Sequence, residues 1–478
     1  MEPIYMDVRS HYLFVEIFRE SMPLAVAMFL LNAYYRKRIN IVEMLLYAFA
    51  SEAYTMMTIG PTFNASFFIS LFFTIDQCYQ VLSGRQSIRR EYLFVLVFPL
   101  FSQILVMMLT QLYEDPFGIQ GNATSYYIRP LYFYMKNYIP LLAIGARIIK
   151  ERDTISFEQL LATMKKIALF SSALGAIQLF VQVVLKNNML GELLGLQQRY
   201  MLEDINGLMG VRIQALFGEP KVFCAFISLT LPVFLRDREY KSAFWVFLMA
   251  VQTSSQTFWI NLFTALIVFV LLKPFYRVRF KILASLSLII GMFLLIASAK
   301  DFLIQYYMEN RDQAISRMLL ERSVSRYDTQ YWQEDNQVLG IPLQRDMELP
   351  VVDFLKDHPY LLLTGYGPGN STFIPSQYFS GQIRYMNSMD GVGGHNLNMR
   401  WFYILAEFGI FGLIFFFLLL TRVEKEIPLF QRNYLVYVAV CFFFSQIDLF
   451  LLIMALLGQA VPEEEEEEKE QVHQPLLT

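Results

Sequence analysis

The sequence predicts an all-α polytopic membrane protein, with about 12 transmembrane helices and one large helical loop domain on the outer face. Composition is the first reason. Of 478 residues, 55% are hydrophobic, 16% aromatic and only 17% charged, which is more apolar surface than a soluble chain of this length could bury. The second reason is run length: several apolar stretches reach the roughly 20 residues that cross a bilayer as a helix. The third is that these runs do not alternate polar with apolar residues, which argues against a β-barrel.

Taken in order, the chain opens with "MEPIYMDVRSHYLFVEIFRE". No basic region followed by an apolar one appears there, so no cleaved signal peptide is expected. Candidate spans begin near Ser21, Asn40, Asn64, Glu91, Tyr126, Leu160, Glu219, Lys241, Thr257, Phe280, Asn396 and Asn433. The basic loops set the orientation. "RKR" (Arg36–Arg38), "GRQSIRR" (Gly84–Arg90), "RIIKER" (Arg147–Arg152), "RDREYK" (Arg236–Lys241), "KPFYRVRFK" (Lys273–Lys281) and "TRVEKE" (Thr421–Glu426) fall on alternate connections, hence on one side. That side is expected to be cytoplasmic. The other side receives "GPTFNAS", "YEDPFGIQGNATSYY", the Lys186–Gly218 loop and the long Asp301–Gly394 segment.

Four regions follow: N-terminal membrane helices over 1–300, an extracytoplasmic loop domain over 301–394, C-terminal membrane helices over 395–460, and an acidic tail over 461–478. Loops as long as 301–394 are usually functional or disordered. Trp332, the many Tyr and Leu, and "HPYLLLTGYGPGN" favour a folded domain of short helices. In the tail, seven glutamates against Lys469 make −6, so the net charge of −3 leaves +3 for the rest. Such a run of like charge reads as a solvated, disordered end. The span count puts it on the outer side, unless a break near Ser445–Asp448 returns it to the cytoplasm. Cys78, Cys224 and Cys441 all lie in apolar runs and form no disulfide or zinc pattern.

Several residues could carry chemistry. In "DGVGGHNLNMRW" (Asp390–Trp401), three glycines precede His395 at the lip of an apolar run. A neutral imidazole there could take a proton from a hydroxyl. Asn396 and Arg400 are four apart and share a helix face. The plainer alternative is that these polar residues only mark where a helix meets the membrane surface. Arg311, Arg317, Arg322 and Arg326 crowd the start of the outer segment without lysine. On a helix 311, 322 and 326 share a stripe, and arginine grips phosphate oxygens in a bidentate fork. A solvated face paired with Asp312, Glu321 and Asp328 is equally open. Arg129 and Lys136 lie in or beside a span and share a face, as cations lining a polar cavity would; Arg129 could instead snorkel to the surface. Glu43, Glu52, Asp76 and Asp448 draw the same suspicion. Glu219 followed by Pro220 reads as a helix start, with Arg212 just before it. "GYGPGN" (Gly365–Asn370) lacks a following Lys-Ser/Thr and reads as a packed turn rather than a nucleotide loop. No HExxH or paired Cys/His pattern is present, so no metal of those types is expected.

In this order, "RIQALFGEPKVFCAFISLTLP", "SRYDTQYW", "HPYLLLTGYGPGN" and "GHNLNMRWFYILAEFGIFGLIFF" resemble the O-antigen ligase and polymerase family of bacterial membrane glycosyltransferases. The likeness covers roughly the second half of the chain. It implies a fold related to the GT-C-like enzymes that use polyprenyl donors, no metal or other cofactor, and a site facing the outside of the bacterial inner membrane. The implied donor is a glycan on undecaprenyl pyrophosphate. The implied acceptor is a sugar hydroxyl, on another lipid-linked repeat unit for a polymerase or on the lipid A core for a ligase. Membrane lipids and a chain-length regulator are the implied partners, and nucleic acid is not. Arg212, Arg326 and His395 fall on the family's catalytic or pyrophosphate positions, and Glu219 on its Glu-Pro position. Arg322, Arg311, Lys136, Arg129, Asn396 and Arg400 are the further candidates for substrate binding. One departure stands out: where the family often shows Ser-x-Ser-Arg-Thr, this chain reads "SSQT" (Ser254–Thr257), so an expected cation is missing there or supplied from elsewhere, with Lys136 or Arg129 the candidates.

Polymerase is the leading expectation, with ligase as its close rival. A transporter or flippase of lipid-linked sugars would use the same cations, but needs no histidine at the outer lip and favours inverted repeats, which the sequence lacks. A structural subunit of an envelope complex is a third class.

Overall fold

The computed structural model of the chain describes residues 12–54, 57–58, 62–85, single positions within 97–109 and 281–302, 139, 141–196, 201–202, 210–253, 255–272, 305–310, 337–338, 341–342, 348–367, 374, 378, 400–423, 429–445 and 447–460. These residues are almost entirely helical. The exceptions are three antiparallel pairs of two residues each: Met57–Thr58 with Thr62–Phe63, Met201–Leu202 with Gly210–Val211, and Gln337–Val338 with Ile341–Pro342.

Helix α1 (Leu13–Tyr35) starts eight residues before the Ser21 expected from hydropathy. The polar residues Glu16, Arg19 and Glu20 hide its first turns from a hydropathy count, although Arg19 is used inside the fold. Helix α2 (Ile41–Ala50) opens on a reciprocal cap. The Asn40 side chain accepts from the Glu43 N–H (2.8 Å) and the Glu43 carboxylate accepts from the Asn40 N–H (3.3 Å), so Glu43 is a capping residue. Helix α3 (Ala65–Leu82) is capped by Asn64, which accepts from the Phe67 N–H. Its Asp76 accepts from Gln80 one turn on.

Helix α4 (Phe157–Leu179) widens into a π-turn over Phe180–Val184. A short α5 (Asn188–Leu193) follows. Helix α6 (Pro220–Arg236) has Glu219 at its N-cap and Pro220 in the first turn, as the Glu-Pro pair predicts. Then come α7 (Tyr240–Val251), α8 (Gln256–Leu272), α9 (Glu348–Asp357), α10 (Leu361–Thr364), α11 (Arg400–Val423), α12 (Leu429–Phe444) and α13 (Asp448–Gln459).

Side-chain bonds define the two ends of this bundle. At one end Arg147 donates to the Tyr34 hydroxyl (2.7 and 3.0 Å), Lys150 to Gln80 (3.2 Å) and Arg236 to both Glu158 oxygens (2.7 and 2.5 Å). Four of the six basic loops have described residues or flanks here, so this is the basic end. At the other end Arg19 donates to the Glu192 and Leu196 carbonyls (2.7 and 2.8 Å), Tyr54 to Leu194 (2.7 Å) and the Ala53 N–H to Leu216 (2.8 Å).

The last two helices correct an expectation. The helix expected from Asn433 stops at Phe444, and the chain turns back as α13. Gln431, at the start of α12, donates to the carbonyls of Leu457 and Ala460. Ala460 therefore lies at the basic end, not opposite it as a count of unbroken spans gives.

Large apolar side chains also face outward, and the mainly apolar core encloses some polar ones. Phe29, Phe170, Phe244 and Trp259 face outward, each more than half exposed, while Ser171, Ser172, Gln178 and Asn261 are fully buried. Among the described residues, two helical stretches are long and apolar enough to cross a membrane, Ala65–Leu82 and Phe157–Val184. Helices α7 and α13 and the Phe258–Val268 part of α8 are apolar but shorter.

Candidate functional site

At the end opposite the basic loops, the loop "RIQALFGEP" descends into the bundle before α6. Buried Gln178 of α4 locks its turn. Gln178 donates to the Ala215 carbonyl (3.1 Å) and accepts from the Ala215 N–H (2.9 Å). That hold keeps Ala215 at φ 52, a region a β-carbon rarely enters without support. The locked turn delivers Gly218 and Glu219 to the top of α6.

Glu52 meets them there. Its carboxylate accepts from Asn64 Nδ2 (2.9 Å) and from the Gly218 N–H. A β-carbon at Gly218 would come within 3.2 Å of Glu52 Oε2, so the glycine permits the approach. Part of the Glu52 residue remains accessible. The Glu219 and Asp448 carboxylates lie within electrostatic range of it.

Cations stand at the rim of this group. Arg400, the first residue of α11, pairs with Asp448 at the first turn of α13, and its guanidinium lies 5.0 Å over the Phe442 ring. Lys221 pairs with Glu219 at 3.0 Å. Arg212 donates through Nε to the Thr253 carbonyl (3.1 Å) and stands beside Cys224. Thr253 immediately precedes "SSQT", so a cation does stand at the stretch where the sequence lacks one, and it comes from the loop before α6.

The fold thus gathers Arg212, Glu219 and Arg400 at one end and adds Glu52, Asn64 and Asp448. Glu52 and Asp448 draw suspicion from sequence as charges in apolar surroundings; Asn64 gives no signal beyond its place before a helix. His395, Asn396, Arg311, Arg317, Arg322, Arg326, Arg129 and Lys136 lie outside the described residues. Among the described residues, no group of three or more His, Cys, Asp or Glu is arranged to hold a metal ion. Compared with protein-family models, curated proteins and solved structures, the chain matches none.

Proposed function

We propose that this chain is a multi-pass membrane glycosyltransferase of the O-antigen polymerase and ligase type. In this reading about 12 helices cross the bacterial inner membrane. The enzyme moves a glycan from undecaprenyl pyrophosphate to a sugar hydroxyl of a second lipid-linked repeat unit, on the face opposite the basic loops.

The observation that carries this reading is that the fold brings Arg212 and Glu219, from the loop before α6, and Arg400, from the start of α11 much later in the chain, to one end of the bundle, away from the positive loops. Glu219 and Asp448, the partner of Arg400, are both within electrostatic range of Glu52 there. Depth supports it. Helix α6 rises about 25 Å from Arg236 to Pro220, and α13 about 18 Å from Gln459 to Asp448. Both are shorter than the roughly 30 Å hydrocarbon core. Side chains at that level suit a donor whose polyprenyl tail stays in the bilayer while its pyrophosphate sits near the interface. The outward apolar rings and the buried polar side chains support the membrane setting.

In the reaction, the acceptor oxygen forms a bond to the anomeric carbon, and the bond from that carbon to the pyrophosphate oxygen breaks. The pyrophosphate leaves with the electron pair, stabilised by Arg212 and Arg326. The acceptor proton passes to His395.

Purified enzyme supplied with lipid-linked repeat units tests the proposal, with product ladders as the readout. Arg212→Ala should weaken both donor binding and transfer. His395→Ala should leave donor binding intact and slow transfer by about 10²–10⁴-fold. Long chains made at normal rate by both variants would overturn the proposal. Transfer to a lipid A core in place of a second repeat unit would reassign the acceptor to that of a ligase.

A further inference from the structure

Helix α11 is broken. Gly409 has φ 64 and ψ −160, so the segments on either side are separate helices. A break costs the backbone its i→i+4 bonds. Here two of the carbonyls before the break are satisfied from another segment: Ala406 accepts from the Tyr366 N–H (2.7 Å) and Glu407 from the Gly367 N–H (3.1 Å). The "GYG" of one motif thereby completes the "EFG" of the other.

Glycine is needed on both sides of this crossing. A β-carbon at Gly365, itself at φ 74, would overlap the Glu407–Phe408 peptide. One at Gly409 would sit 2.5 Å from the Leu363 carbonyl.

The break also divides two apolar cores. Phe402 and Ala406, before Gly409, pack with Val351, Phe354, Leu361 and Tyr366 in a small core of their own. Phe416, after Gly409, packs on the large core of the bundle and stacks on Phe442 at 5.6 Å. At the far tip of the first segment, Arg400 reaches back to Asp448 of the bundle.

We propose that residues 348–367 and 400–408 form one rigid arm that pivots at Gly409 and latches to the bundle through the Arg400–Asp448 pair. Its rigidity comes from the shared core and the crossed backbone. Its pivot is the one residue of α11 with non-helical backbone. The latch is weak enough to open, because Asp448 is 68% exposed and an ion pair so placed contributes little. The inference concerns motion alone and does not depend on the reaction proposed above.

Spin-label distances on the full-length protein in detergent micelles test it. Cys78, the exposed native cysteine, is replaced by serine. One label pair joins the arm to the bundle (Lys356→Cys with Lys186→Cys). A control pair joins the second segment of α11 to the bundle (Ile414→Cys with Lys186→Cys). Asp448→Asn should raise the long-distance fraction of the first pair by about two- to five-fold, the worth of an accessible ion pair, and leave the second unchanged. The exchange Arg400→Asp with Asp448→Arg should restore the first pair toward its original distribution. Identical first-pair distributions with and without Asp448→Asn would overturn the latch. An equal shift in both pairs would overturn the pivot at Gly409.

Discussion

At the basic end Arg236 binds Glu158 through two bonds and Asp237 through a third at 2.7 Å, while Lys165 binds Asp237 and Glu239 at 2.5 and 2.6 Å. Burial alone would raise the Asp237 carboxyl, but its bonds to Arg236 and Lys165 outweigh that and hold it below the usual carboxylate range. At the opposite end Glu52 is held by the neutral donors Asn64 and Gly218, with Glu219 and Asp448 adding like charge. Both ends pair charges, since Glu219 meets Lys221 and Asp448 meets Arg400. The difference is Glu52, a carboxylate held in place by a backbone N–H and an amide, where Asp237 is held by two cations.

The largest expected effect lies at the crossing of the 361–367 and 400–409 segments. Gly409→Ala combines positive φ with overlap against Leu363 backbone, and should destabilise the arm by about 4 kcal/mol. Hydrogen exchange should rise in 348–367 and 400–408 while the basic end keeps its protection. Uniform protection across both ends would show that they are not independent.

Glu52→Ala comes next. It removes the acceptor that Asn64 Nδ2 and the Gly218 N–H share and should cost about 2–3 kcal/mol. Thermal unfolding is the measurement, and an unchanged midpoint would show that these two donors do not depend on Glu52.

Arg236→Ala tests the anchoring end. It leaves Glu158 and Asp237 short of a partner at partly buried positions and should cost about 1–2 kcal/mol. The smallest effect is expected for Lys150→Ala, whose bond to Gln80 is exposed; a loss within about 0.5 kcal/mol is expected. A larger loss would mean that the basic end is less redundant than its networks suggest.

Composition and apolar run length alone determine the helical class, and local signals fix many helix starts. Asn40, Asn64 and Glu219-Pro220 each announce a helix because caps and first-turn proline act over three or four residues. The side on which the basic loops gather was legible for the same kind of reason: four of the six meet through Tyr34, Gln80 and Glu158. The tertiary structure decided the rest. The turn at Ser445–Ile447 sends Ala460 back to the basic end because Gln431 caps α13 from across the bundle. No hydropathy window contains that bond. The break at Gly409 depends on the Gly365–Gly367 backbone more than 40 residues away. Glu52 becomes exceptional only when Gly218, Glu219 and Asp448 are folded against it. A side chain's local sequence carries its charge, but the dielectric and the neighbours that set its chemistry come from parts of the chain that meet only in three dimensions.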